Sequence, residues 1–195
     1  MAVADIMHGP VKLYRAPVGT TPPADTVAVD GTWIGWTAFG YTKEALTSNY
    51  EFDEQEIKVQ QALTAVERFK SAENLTLKTT LAELTPANMQ ITTSGTATTT
   101  PADTGQPPKD ELVVGGESVI DKYAWGFEGT YTDSAGATFP IRLFVWKGTA
   151  KMAGEQEHGQ EGYVGIPIEV KALADLSKAV GQQLYKFQRI LGAAE

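Results

Sequence analysis

Apolar and polar positions alternate with a period of two along much of this chain, the pattern of half-buried strands. Between positions 122 and 132 the odd residues read Tyr123, Trp125, Phe127, Gly129 and Tyr131, while the even ones are mostly small or polar, Glu128 and Thr130 among them. In 75–81 the apolar face is Leu75, Leu77 and Leu81, against Thr76, Lys78 and Thr80. In 163–172 it is Val164, Ile166, Ile168 and Val170, with Glu169 and Lys171 opposite. Further strands are predicted at 11–15, 33–39, 47–52, 57–61, 64–69, 139–146 and 184–191. The segments 139–146 and 184–191 carry apolar residues on both faces, which predicts strands covered on each side by a sheet, a helix or a neighbouring subunit.

One short helix is signalled clearly. Thr85 is a good N-cap, Pro86 follows at the first helical position, and Leu84 and Met89 occupy the positions of a hydrophobic staple. That helix should end before Gly95. A second, weaker helix is predicted over 172–180, stopping at Gly181. The stretch 92–110, rich in Thr, Pro and Gly, reads as a mobile surface loop, and 17–25 as another loop. With no internal repeat, the expectation is a single domain over 1–195. Its predicted fold class is mainly β: a β-sandwich or open barrel of two sheets flanked by one short α-helix.

Composition narrows the choices. With 195 residues, 42% of them hydrophobic and 21% charged, the chain can build a substantial core and is not a disordered sequence. It has no cysteine, which excludes disulfides, thiolate metal sites and cysteine nucleophiles. The densest apolar run, 143–146, is far too short to span a bilayer as a helix, and the first nine residues predict no secretion signal. Residues 1–140 hold 9 Lys/Arg against 18 Asp/Glu, a net of −9; residues 141–195 hold 7 against 6, a net of +1. An acidic chain repels phosphate backbones, so tight nucleic-acid binding is disfavoured, whereas passage of nucleic acid without sticking is compatible with it.

Candidate chemistry is sparse. The histidines are His8 and His158, and no serine sits in a nucleophile-elbow sequence. Glu155, Glu157, His158 and Glu161 are dense enough to pose as metal ligands, but the interleaved Gly154, Gly159 and Gly162 favour a solvated turn. Asp110 with Glu111, or Glu54 with Glu56, could be posed as acid/base carboxylates, although without a cleft such pairs are ordinarily solvated faces. No catalytic, cofactor or metal residues are therefore assigned. The row Tyr123, Trp125, Phe127, Tyr131 is either core or an exposed platform for sugars or bases; its regular alternation favours core. The segment 42–61 combines Tyr50 and Phe52 with Glu44, Glu51, Asp53, Glu54 and Glu56, in more strand than a compact domain requires. It reads as a projecting hairpin, either a solvated edge or an arm that adds to a neighbour.

An ordered series of segments carries a resemblance. "KLYRAPVGTTPPADT", "WTAFGYTKEALTSNYEFDEQEIKV" and "LKTTLAELTPANM", followed by "YVGIPIEVKALAD" and "LYKFQRIL", resemble the major tail tube proteins of siphophages. The likeness covers most of the chain and is weakest over 92–109. It implies a non-enzymatic virion protein with no cofactor, a β-sandwich flanked by a helix, six copies of which form a ring with a shared β-barrel around a lumen. It implies stacking of rings into a tube, contact with tape-measure, distal tail and tail-terminator proteins, assembly in the host cytoplasm and passage of the genome through the lumen without specific DNA binding. The segment 42–61 stands where the family's loop reaches a neighbour, so Tyr50, Phe52, Glu54 and Glu56 are the expected inter-subunit contacts. Two other readings remain beside it: a tail terminator or connector of the same fold, and a carbohydrate-binding or adhesion module built on Trp125 and Tyr131.

Overall fold

A computed structural model describes residues 7–116, 119–133, 135–156 and 164–192. It is mainly β, 50% strand and 5% helix, with two sheets and one short helix. The larger sheet has the order β2-β1-β7-β8-β9-β4-β3. Its strands are β1 (Met7–Pro17), β2 (Thr37–Ala38), β3 (Thr47–Ile57), β4 (Glu67–Leu81), β7 (Lys122–Thr132), β8 (Thr138–Met152) and β9 (Ile166–Ala172). An eighth strand, β10 (Tyr185–Arg189), lies on the β9 side of β8, pairing with Ile141–Val145 while β9 pairs with Gly148–Met152. The sheet curls, because Leu13 of β1 and Leu75 of β4, with three strands between them, share one buried cluster. This is the sandwich-like architecture predicted from the alternation.

The odd residues of β7 build that cluster. Trp125, Phe127 and Tyr131 are buried, with Trp125 completely so. Its indole Nε1 donates to the Gly148 carbonyl at 3.3 Å, and Tyr131 donates its hydroxyl to Ile190 O at 2.6 Å. The aromatic row is core, and neither Trp125 nor Tyr131 is available as a ligand platform.

The even residues Ala124, Gly126 and Glu128 are buried too. Segment 18–36 crosses the opposite face of β1, β7 and β8, and Trp33 stacks on Tyr14 at 4.1 Å and packs against Phe144. Gly126 makes this approach possible: a Cβ there would stand 2.4 Å from the Trp33 ring. Beneath the segment, Arg142 and Glu128, directly paired across β7 and β8, form a fully buried ion pair at 3.1 Å. Arg142 also donates to Ala24 O and Val27 O, fastening the segment to the sheet. Burial pushes the Glu128 carboxyl up, and Arg142 draws it partly back.

Helix α1 (Pro86–Thr93) is where the sequence puts it, with the Asn88 amide donating to the Thr85 hydroxyl at 3.2 Å and Ser94 closing the end in a left-handed conformation. Ile91 and Met89 turn toward the core, whereas Leu84 stays exposed. The helix expected over 172–180 is absent. Asp175 Oδ1 instead accepts from the amide and hydroxyl of Ser177, and the Asp175 amide donates to Gln183 O, so local turn bonds replace helical ones. The stretch expected as a loop, 92–110, begins with the end of α1 and then pairs β5 (Thr96–Thr100) with β6 (Lys109–Val113) in the smaller sheet. Its threonines suit an exposed strand even though they offer no core. Of the strand predicted over 33–39, Thr37–Ala38 are extended and pair with β1.

Candidate assembly site on the β3–β4 hairpin

Strands β3 and β4 pair antiparallel from Thr47↔Lys78 to Ile57↔Glu67, with an irregularity at Asp53/Glu54. Strand β9 pairs with β4 over Thr76–Leu81, and Leu75, Leu77 and Leu81 enter the core. Beyond that point the hairpin continues outward, and every residue of β3 and the first eight of β4 are exposed. The turn between the strands closes through Val66 N donating to Ile57 O. The sequence places 42–61 in the projecting arm. The structure sets this as the outgoing half of a longer hairpin whose return strand supplies Glu67–Asn74.

Tyr50, Phe52, Glu54 and Glu56 alternate along β3, so all four lie on one face, opposite Leu75, Glu73, Lys70 and Arg68. Lys70 joins the aromatic and acidic parts of that face. Its ammonium lies 4.6 Å from the Phe52 ring centre, donates to the Tyr50 hydroxyl at 3.0 Å and pairs with Glu73 at 3.0 Å. The Tyr50 and Glu73 bonds raise the Lys70 pKa, and the same Lys70 bond lowers Glu73. Further out, Arg68 meets Glu56 at 2.8 Å and Glu54 at 3.9 Å, while Lys58 meets Glu56 at 3.1 Å and lowers its pKa. These pairs are solvated, so they shape the surface far more than they stabilise it.

Apolar residues without a core mark the rest of the arm. Ile57, Val59, Leu63, Val66 and Phe69 are exposed, Leu63 entirely. Periodicity does not identify them as a site, because 57–61 and 64–69 read as ordinary strands. Their signal is position: they lie next to the acidic, aromatic strand, beyond the last residues that β9 covers.

The other candidates are not brought together. Asp110 and Glu111 are neighbours on β6 and point to opposite faces, with Glu111 paired to Lys109. Glu54 and Glu56 are occupied by cations on an open face rather than set in a cleft. Of Glu155, Glu157, His158 and Glu161, the last three lie outside the described residues. Among the described residues no group of three or more His, Asp or Glu is arranged to hold a metal, and no helix is long and apolar enough to cross a membrane.

A family model described as phage tail tube protein matches residues 4–187. Its members are structural rather than enzymatic components of the virion tail. Comparison with curated proteins gives no match. The match runs from β1 into β10 and takes in nearly all of the larger sheet, the helix and the projecting hairpin, so the chain belongs to the phage tail tube protein family.

Proposed function

We propose that this subunit builds the tail tube of a siphovirus-type phage by closing into rings of six, which stack into a conduit for the genome. The β3–β4 hairpin is the arm that docks on a neighbouring subunit, with Tyr50, Phe52, Glu54 and Glu56 at the contact. The observation that carries this reading is the apolar surface of the arm. An antiparallel pair that leaves Phe52, Phe69 and Leu63 in water, with Tyr50 met at one side by Tyr185, has no second layer over it among the described residues. Rings stacked on a tape-measure protein and bounded by distal tail and terminator proteins would complete the tail, assembled in host cytoplasm. A chain of net charge −8 lets DNA pass without specific binding.

The test is a Tyr50→Asp, Phe52→Asp double variant, followed by circular dichroism and negative-stain microscopy of one preparation. A native strand spectrum with tubes lost supports the arm, because unpaired charge in a desolvated contact is costly. Normal tubes would sink the arm, and an unfolded variant would assign these aromatics to the subunit's own core. Wild-type rings that never lengthen into tubes would favour a terminator or connector instead.

A further inference from the structure

Strands β4 and β10 approach the same stretch of the sheet and then part. Strands β9 and β10 occupy successive lengths of one edge of β8, so β10 would be expected to continue the pairing that β9 makes with β4. It does not. Among the described residues β10 pairs with β8 alone, and β4 between Glu67 and Leu75 pairs with β3 alone. Where they part, the core opens into a trough of about 480 Å³. Val11, Leu46, Leu75, Phe127, Leu143 and Phe187 line it. Tyr50 and Tyr185 approach each other at one side, ring centres 5.9 Å apart. The trough opens on the face of β1, β7 and β8 that carries Val11, Phe127 and Leu143. Phe187, 62% exposed, stands at its mouth.

We infer that this trough receives the turn of the β3–β4 hairpin, residues 59–66, from a second copy of the chain; this deepens the tube-subunit reading above and rests on it. Three observations converge. The turn presents Val59, Leu63 and Val66 to solvent, and from 59 to 66 it holds no charged residue, in a hairpin otherwise dense with charge. The trough lining likewise holds no charged residue. The two surfaces can therefore close without desolvating an ion, which is the main penalty facing any other part of the arm. Reach supplies the third. The trough lies beside Tyr50↔Leu75 and the turn beyond Ile57↔Glu67, so about seven strand residues, roughly 23 Å, separate a turn from its own trough. The ladder holds them apart, and only another copy's turn can enter. A turn on one patch and a trough on another make a head-to-tail contact, the kind that propagates into rings or helical stacks rather than stopping at a dimer.

The absence of cysteine makes the contact directly trappable. Two single-cysteine chains, Leu63→Cys and Phe187→Cys, are mixed under assembly conditions and oxidised briefly; both positions are exposed, so both chains should fold. A Thr98→Cys chain, on the exposed strand β5, replaces the second in the control mixture. The expected result is a crosslinked heterodimer from the 63/187 pair at least tenfold faster than from 63/98. A Leu63→Asp chain should show an unchanged strand spectrum and need at least tenfold more protein to assemble. Tubes forming normally while 63/187 crosslinks no faster than 63/98 would overturn the trough contact and leave the tube reading intact. Preferential 63/63 homodimers would overturn it in favour of a turn-to-turn contact. Wild-type protein that never assembles would overturn both.

Discussion

Strands β7 and β8 and strands β3 and β4 are both long antiparallel pairs, yet their fates differ. In β7–β8 both faces are covered, one by the curled sheet and α1, the other by segment 18–36. Even an arginine and a glutamate disappear from solvent there. In β3–β4 the ladder is as regular, but past Leu75 neither face is covered and charge pairs stay wet. The ladder itself therefore does not decide what is core. What decides is whether the chain supplies a second layer, and the outer hairpin lacks one. Stability should depend on the first pair and assembly on the second.

The largest effect should come from Trp125→Ala. The side chain is fully buried and its indole bonded to Gly148 O, so loss of roughly 3–5 kcal/mol is expected, with little soluble protein. Urea midpoints of any refoldable fraction check this. A matching loss from Phe52→Ala would erase the proposed division between the two pairs.

Arg142→Met should cost nearly as much, about 3–5 kcal/mol, because it leaves the Glu128 carboxylate buried without a cation and unfastens segment 18–36 from the sheet. Glu128→Leu added to Arg142→Met should recover much of that loss, since the desolvated charge goes with it. A double-mutant cycle by chemical denaturation measures the coupling; strict additivity would mean the pair is not the unit described here.

Much of β7–β8 was legible in the sequence. The odd aromatic row predicts a core face, whereas the opposition of Glu128 and Arg142 emerges only with β8 beginning at Thr138, one residue before the predicted strand. The cover over the other face was not legible, because segment 18–36 is irregular and Trp33 reads as a strand residue. Its role depends on Gly126, whose missing side chain carries no periodic signal. On the hairpin, alternation places Tyr50, Phe52, Glu54 and Glu56 on one face. It does not reveal Lys70 and Arg68 as their partners, because that register includes a bulge near Asp53. The β5–β6 hairpin escaped for a related reason: threonine repeats between prolines carry no apolar period, whether or not they pair.

A smaller effect is expected at the helix. Thr85→Ala removes the hydroxyl that accepts from Asn88 N, costing about 1 kcal/mol in thermal or chemical unfolding. Tubes should be unaffected, because α1 belongs to the covered part of the molecule. A Thr85→Ala chain that folds normally but does not assemble would move the boundary between the two regions.

The smallest effect concerns Glu169, on the outer face of β9, where Lys78 and Lys151 approach at 3.0 and 3.1 Å and Lys171 at 3.8 Å. The Lys78 hydrogen bond leads in holding its carboxyl below the ordinary range, burial opposes it, and Lys151 adds to the lowering. A folded pKa below the unfolded one means that the unfolded chain binds more protons across the interval between them. The stabilisation is therefore complete above the ordinary carboxylate pKa of about 4.3 and is lost as pH falls through the folded value. The three lysines remain well exposed, so its size at neutral pH should stay below about 1 kcal/mol. Glu169→Gln should thus destabilise slightly at pH 7 and converge with the wild type in acid. Glu128, displaced in the opposite direction by burial, titrates alike in both chains and cancels from the difference. Denaturation series from pH 7 down to pH 3 measure it. A gap that stays constant across that range would show that Glu169 acts by packing rather than by charge.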